Sequence, residues 1–259
     1  MQWWKWISKV LVGNFGHSLE HGAPIWEEIS DRLQLAVVLT GATVVFTWVI
    51  AIPMGIYSAV RQYSIEDYTF TFIGFLGLAT PDFLLALILL YISFAYFNVS
   101  VGGLFSPEYS SASWSVGCVW DLLLHLWIPA AVLGTSGTAG LMRIMRANVL
   151  DEIRKPYVVT ARAKGMPEWR VILKYPVRVA LNPLVSSGGY LLPHPISGSV
   201  IVSMVLSLPT LGPVLVQSLL TQDLFLGATI ILFLGAMTVI GTLLSDILLA
   251  VVAPRIRIS

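Results

Sequence analysis

Charge is what this chain has least of. Of its 259 residues, 11% are Asp, Glu, Lys or Arg while 56% are hydrophobic, and the mean hydropathy is +0.82. A soluble domain carries about 25% charged residues, so the shortfall excludes an ordinary water-soluble globule and makes lipid the main solvent. The formal net charge of +1 leaves no bulk attraction to nucleic acid, and the distribution of charge matters more than its sum. Cysteine is nearly absent: Cys118 stands alone, which excludes an internal disulfide or a cysteine metal cluster. There is no HExxH helix and no GxSxG elbow, so neither a metalloprotease nor a rhomboid-like protease has support. The small-residue run Gly134–Gly140 lacks the GK[ST] ending of a phosphate loop and lies in an apolar stretch, so it reads as helix packing.

What the chain has in abundance is long apolar runs. A helix needs about 20 such residues to cross the hydrocarbon core, and five runs qualify: Leu33–Tyr57, Tyr68–Phe97, Leu122–Leu141, Leu181–Leu208 and Leu224–Ala253. Each is too long and continuous for a barrel strand of about ten alternating residues. The fold class is therefore an all-α membrane protein with five transmembrane helices. Pro53, Gly55, Pro81, Pro129, Pro193 and Pro195 interrupt these runs. Such breakers survive in lipid where neighbouring helices or water satisfy the freed backbone groups, which favours a bundle lining a pathway; kinks that only assist packing are the alternative.

Twelve of the 15 basic residues are on one side. The connection after the first run holds Arg61, the third connection holds Arg143 and Arg146 followed by Arg154, Lys155, Arg162, Lys164, Arg170, Lys174 and Arg178, and the tail holds Arg255 and Arg257. The connections 98–121 and 209–223 hold no Lys or Arg. The positive-inside rule then places the basic connections and the C-terminus in the cytoplasm and the N-terminus outside. Met1–Val12, with Trp3, Trp4 and Trp6, reads as an interfacial helix without the apolar core and cleavage site of a signal peptide. An odd number of spans with an outward N-terminus and no signal is uncommon; a missing first helix accounts for it.

Ionisable residues inside the apolar runs are few: Asp82, His125, His194 and Asp246, in no recognisable motif. His194 lies between Pro193 and Pro195, where the helix must break. One reading makes it a pathway-lining position; the plainer one, slightly preferred, is a kinked helix whose histidine bonds a neighbour's carbonyl.

The basic segment Arg154–Arg178 carries the most local information. Pro156 suits the first turn of a helix, Gly165 suits its C-terminal cap, Pro167 opens a second helix over Glu168–Tyr175, and Pro176 ends it. The segment reads as helix, tight turn, helix, too short and polar to span. Its apolar residues suit a protein groove, while its charge suits anionic lipid, and composition does not separate the two.

Residue order does. Tyr157-Val-Val-Thr-Ala-Arg-Ala-Lys-Gly165, then Trp169-Arg-Val-Ile-Leu-Lys174 and Arg178-Val-Ala-Leu-Asn-Pro-Leu184, resembles the EAA loop of binding-protein-dependent ABC importers, closest to the dipeptide/oligopeptide permease family. Gly13-Asn-Phe-Gly-His-Ser18, Ile29-Ser-Asp-Arg-Leu33, Ala51-Ile-Pro-Met-Gly55, Gly77-Leu-Ala-Thr-Pro-Asp-Phe83, Gly198-Ser-Val-Ile-Val202, Leu208-Pro-Thr-Leu-Gly212 and Pro254-Arg-Ile-Arg257 extend the resemblance over nearly the whole chain. It departs from the strict motif at Val159, where an acidic residue would begin it, and at Ser203, where the family often has Glu.

The resemblance implies a multi-pass permease subunit of a bacterial or archaeal cytoplasmic membrane, non-enzymatic itself. It implies an extracytoplasmic or interfacial segment 1–32, a permease domain 33–253 that includes a coupling loop 143–178, and a cytoplasmic tail 254–259. The subunit would form half of a translocation pathway. Its partners would be a second homologous permease, an extracytoplasmic solute-binding protein and two cytoplasmic ATPases, which would hold ATP and Mg²⁺; this chain would bind no cofactor or metal. The resemblance assigns ATPase coupling to Thr160, Ala161 and Gly165, with Tyr157, Arg162, Ala163 and Lys164 flanking. His194, Ser197 and Ser203 are candidate pathway-lining residues. A di- or oligopeptide is the expected solute, with nickel chelates or oligosaccharides as alternatives within the family. An ion-coupled secondary transporter and a lipid-binding scaffold are rivals of other classes.

Overall fold

The computed structural model describes residues 2–20, 22–97, 102–106, 108–109, 115–191 and 200–252. Among them are eleven helices. α1 is Gln2–Val10, α2 Ile25–Val60, α3 Ile65–Ala79, α4 Asp82–Phe97, α5 Val116–Ile153, α6 Pro156–Ala163 and α7 Glu168–Lys174. α8 is Pro176–Leu191, α9 Val200–Val205, α10 Leu211–Leu220 and α11 Leu224–Val252.

The first and third apolar runs grow beyond their expected limits. α2 has 36 residues and α5 has 38, so each is about 54 to 57 Å long against a hydrocarbon core of about 30 Å. Pro53 and Pro129 sit inside them without ending them. α5 starts sharply because Ser115 caps it, its hydroxyl accepting from the Cys118 N–H at 3.2 Å. α2, α5 and Leu224–Ile247 of α11 are each long and apolar enough to cross a membrane alone.

The second run corrects the reading of one continuous helix over Tyr68–Phe97. α3 and α4 meet at 104°. Pro81 has no N–H for the Gly77 carbonyl, and it forces Thr80 out of the helical region, to φ −86°, ψ 123°. Hydropathy sees only the apolar composition on both sides of this elbow. The fourth run, Leu181–Leu208, is described only in part: α8 begins earlier, at Pro176, and is described as far as Leu191, and α9 covers Val200–Val205. His194 and Ser197 fall between them, outside the described residues.

Lipid tails are as apolar as leucine, so close packing replaces the hydrophobic effect in holding such helices together. Glycines create the approach. A Cβ on Gly55 of α2 would lie 2.7 Å from the Met145 Cβ of α5 and 2.9 Å from the Met142 carbonyl. One on Gly134 of α5 would lie 2.8 Å from the Phe46 ring of α2, and one on Gly77 of α3 would lie 2.7 Å from the Thr135 methyl of α5. In the run Gly134–Gly140, Gly134 thus packs on α2 and Thr135 and Ala139 on α3, whereas Gly140 faces open space.

Two large clusters surround α5. Near its start, Leu122, Leu126, Ile128 and Val132 pack with Leu35 and Leu39 of α2, Ala86 of α4 and Val202 of α9. Near its end, Met142, Met145 and Val149 pack with Ala51 and Ala59 of α2, Ile172 of α7 and Ala180 and Leu184 of α8. This second cluster lies at the basic end of the bundle and carries the candidate site.

Candidate functional site

The site is the α6–α7 pair. Pro156 occupies the first turn of α6, and Thr160 returns its hydroxyl to the Pro156 carbonyl at 2.9 Å. At the far end the Lys164 N–H donates to the Thr160 carbonyl at 3.1 Å and the Gly165 N–H to the Arg162 carbonyl at 3.0 Å. Gly165 takes φ +74°, the left-handed conformation that glycine adopts without penalty and that ends a helix. Pro167 then starts α7, its carbonyl accepting from Arg170 and Val171 at 2.9 and 3.1 Å. Pro176 ends α7 by opening α8.

Val158 and Ala161 of α6 and Val171 of α7 form a small core of their own, with Met166 and Tyr175 against it. Ala161 is buried there, whereas Thr160, Arg162, Ala163, Lys164 and Gly165 are exposed. Arg162 is not a free surface cation. Its Nε and Nη2 grip Glu168 at 3.0 and 2.6 Å, closing α6 onto α7 across the turn. The pair holds the Glu168 carboxyl below its ordinary value and Arg162 above its own. Tyr157 donates its hydroxyl to Glu152 at the end of α5. Burial first, then that bond, push the tyrosine up to about 12. Ile172 anchors α7 in the cluster around Met145 and Val149 of α5. The two short helices are therefore braced to each other and seated on the bundle, with Lys155, Lys164, Arg170, Lys174 and Arg178 on exposed positions around them.

One cluster at this end escaped sequence reasoning. Asp67, 2% exposed, receives Arg146 from α5 in a two-pronged contact, Nε to Oδ1 at 2.9 Å and Nη2 to Oδ2 at 2.8 Å. The Ser58 hydroxyl and the Tyr63 N–H, the latter at 3.0 Å, complete the carboxylate's shell. In the sequence Asp67 is only one acidic residue at the start of the second apolar run. The available signal was Ser64-x-x-Asp67 before an apolar run: the Ser64 hydroxyl does accept from the Asp67 N–H, at 3.2 Å.

The remaining candidates are dispersed. Ser203 is buried in α9 and accepts from the Thr210 hydroxyl at 3.0 Å. His125 bonds the Asp121 carbonyl of its own helix at 2.9 Å. Asp246 lies on an exposed position of α11. Among the described residues, no three His, Cys, Asp or Glu side chains converge to hold a metal.

The comparisons with known proteins bear on the chain as a whole. Residues 51–258 match the family of binding-protein-dependent transport system inner membrane components. The oligopeptide transport system permease protein AppB of Bacillus subtilis is 36% identical over 99% of this chain and 80% of its own length. The dipeptide transport system permease protein DppB of Escherichia coli K12 is 30% identical over 99% and 80%. The OppB permease of Mycobacterium bovis is 32% identical over 98% and 79%. Among solved structures, the MetNI methionine ABC transporter in an inward-facing conformation aligns with a TM-score of 0.65 at 16% identity, over 87% of this chain and 96% of that one, a likeness of fold. The helical bundle and these matches together establish that the chain belongs to the family of binding-protein-dependent transport system inner membrane components.

Proposed function

We propose that this chain is the permease subunit of an ATP-driven importer of peptide-like solutes, and that α6–Gly165–α7 is the element through which ATPase subunits drive it. The observation that carries this is the seating of the pair: exposed on one side and anchored on the other, through Ile172 and Tyr157, to the end of α5. A force applied to α6 is delivered to a helix that runs through the whole bundle. Peptide is the solute favoured by the AppB, OppB and DppB relatives. The basic end faces the cytoplasm under the positive-inside rule, with the C-terminus there and the N-terminal segment outside.

In this reading a second homologous permease completes the pathway, a binding protein delivers solute from outside, and two ATPase subunits bind ATP and Mg²⁺. Their closure biases the permease pair between inward- and outward-open states, since a ligand moves a two-state equilibrium only by its differential affinity for the two states. Thr160, Ala163, Lys164 and Gly165 form the contact surface, while Ala161, Arg162 and Tyr157 hold its shape. The α3–α4 elbow supports a pathway on that side. Backbone freed at membrane depth is tolerated only against protein or water, and Ala79 and Pro81 are exposed.

Gly165→Val is the test. No neighbour lies within 4 Å of a Cβ there, so the effect is conformational: φ +74° is strained for a β-branched residue. The expected outcome is a bundle that folds and inserts but loses ATPase co-purification or ATP-dependent uptake. Uptake that is unchanged and ATPase-dependent would overturn the assignment. Uptake driven by an ion gradient without any ATPase would establish a secondary transporter instead.

A further inference from the structure

Between α3 and α5 lies a pocket of about 220 Å³ whose walls include Thr71, Gly74 and Phe75 on one side and Ala139, Arg143 and Arg146 on the other. The two arginines differ in their partners. Arg146 is neutralised by the two-pronged grip on Asp67. Arg143 is exposed, and its guanidinium lies over the Phe75 ring, 5.0 Å from the centroid. Among the described residues no carboxylate approaches it within ion-pair distance. The pocket thus carries one surplus positive charge, presented as a planar fork that matches a carboxylate.

The pocket's outlook decides what that charge meets. Thr71, Phe75 and Leu78 follow one another by four and three positions and so share a face of α3. That face leads to the elbow, where Leu78, Ala79 and Pro81 are exposed and the Gly77 carbonyl has lost its helical donor. A guanidinium without a carboxylate partner does not sit against lipid tails, so the exposed Arg143 side of the pocket is wet or protein-covered. A volume of about 220 Å³ is below that of a site enclosing a whole drug-sized ligand, about 300 to 1,000 Å³. It fits one end of an extended solute.

We infer that this pocket binds the terminal carboxylate of the solute during passage, with Arg143 as the binding group. The inference rests on the peptide-importer reading and adds to it a place where solute chemistry is read at the basic end of the helical bundle. The Phe75 ring lies beneath the Arg143 guanidinium, and the apolar walls of Gly74 and Ala139 leave that charge as the main attraction, so an end group without charge gains little.

The test uses the complete transporter in liposomes with its binding protein saturated. Transport of an alanine tripeptide is compared with that of its C-terminal amide, for the wild type, R143Q and R143K. The wild type is expected to move the free acid faster. R143Q should slow the free acid about tenfold, the value of one charge-assisted contact, and leave the amide unchanged, with R143K between the two. Four results overturn the inference: no acid preference in the wild type; equal slowing of acid and amide in R143Q; loss of the second permease from purified R143Q, which makes Arg143 an interface charge; or wild-type transport that follows the vesicles' phosphatidylglycerol content while R143Q transport does not, which makes the ligand a lipid phosphate. Transport of neither peptide by the wild type is a failure of the importer reading itself and is told apart by that.

Discussion

At the scale of single residues, glycine serves two purposes that substitution separates. Gly55 is a contact: any Cβ there meets the Met145 side chain and the Met142 carbonyl within 3 Å, and backbone cannot yield as a flexible side chain would. Gly140 is in the same helical bundle but meets nothing within 4 Å. Gly55→Ala should therefore destabilise by about 1–3 kcal/mol, the usual cost of overpacking. Gly140→Ala should stabilise by up to about 1 kcal/mol through helix propensity. Opposite shifts in the thermal midpoint of the detergent-purified protein check this, and a fall for both would mean that Gly140 is also a contact. Gly165 was legible from sequence because its cue is local, a glycine just before Met166-Pro167. Gly55 as a contact was not, since its partner lies 90 positions along the chain.

At the scale of elements, the α6–α7 pair was legible almost to the residue. Pro156, Gly165, Pro167 and Pro176 each act on their own few neighbours, and the pair's limits follow from them. The elbow between α3 and α4 was not legible as a break because an apolar run looks the same whether straight or folded at Pro81. Nor was the clamp that ties α3 to α5. Asp67 is buried and relies on Arg146, whose own side chain is 28% exposed. The two halves of the clamp should therefore respond unequally. Arg146→Met strands a buried carboxylate and should cost about 3–5 kcal/mol. Asp67→Asn keeps the shape and leaves an arginine that can still reach water, so it should cost less. Urea midpoints in detergent would rank the two, and the reverse order would contradict the burial argument.

At the scale of the whole molecule, the chain's start is fastened to its far end. Asp223, just ahead of α11, accepts from the Ser18 hydroxyl at 2.7 Å and the Leu19 N–H at 2.6 Å, and it caps α11 through the Leu226 N–H at 3.1 Å. Ser18 and Asp223 are 205 positions apart, and no periodicity in the sequence announces such a pair. Burial opposes ionisation of Asp223, but the Ser18 hydroxyl and the N–H groups of Leu226, Leu19 and Glu20 outweigh it and hold the carboxyl below its ordinary value. A depressed folded value means the fastening is complete above the ordinary carboxylate pKa of about 3.9 and is lost as pH falls through the lower, folded one. Amide exchange at residues 18–20, corrected for intrinsic rate, should show constant protection near neutrality and loosening only in acid. Asp223→Ala should show the loosened state throughout, and protection that survives that change would assign the fastening to other contacts. The glycine notches have a consequence at this scale too. Gly134 and Gly77 seat α2 and α3 against α5 at its positions 134 and 135, and Gly55 seats α2 against it again at Met142 and Met145, as keys seat a shaft in its housing. A keyed shaft cannot spin, so a stroke arriving at the foot of α5 travels onward as tilt of the three helices together.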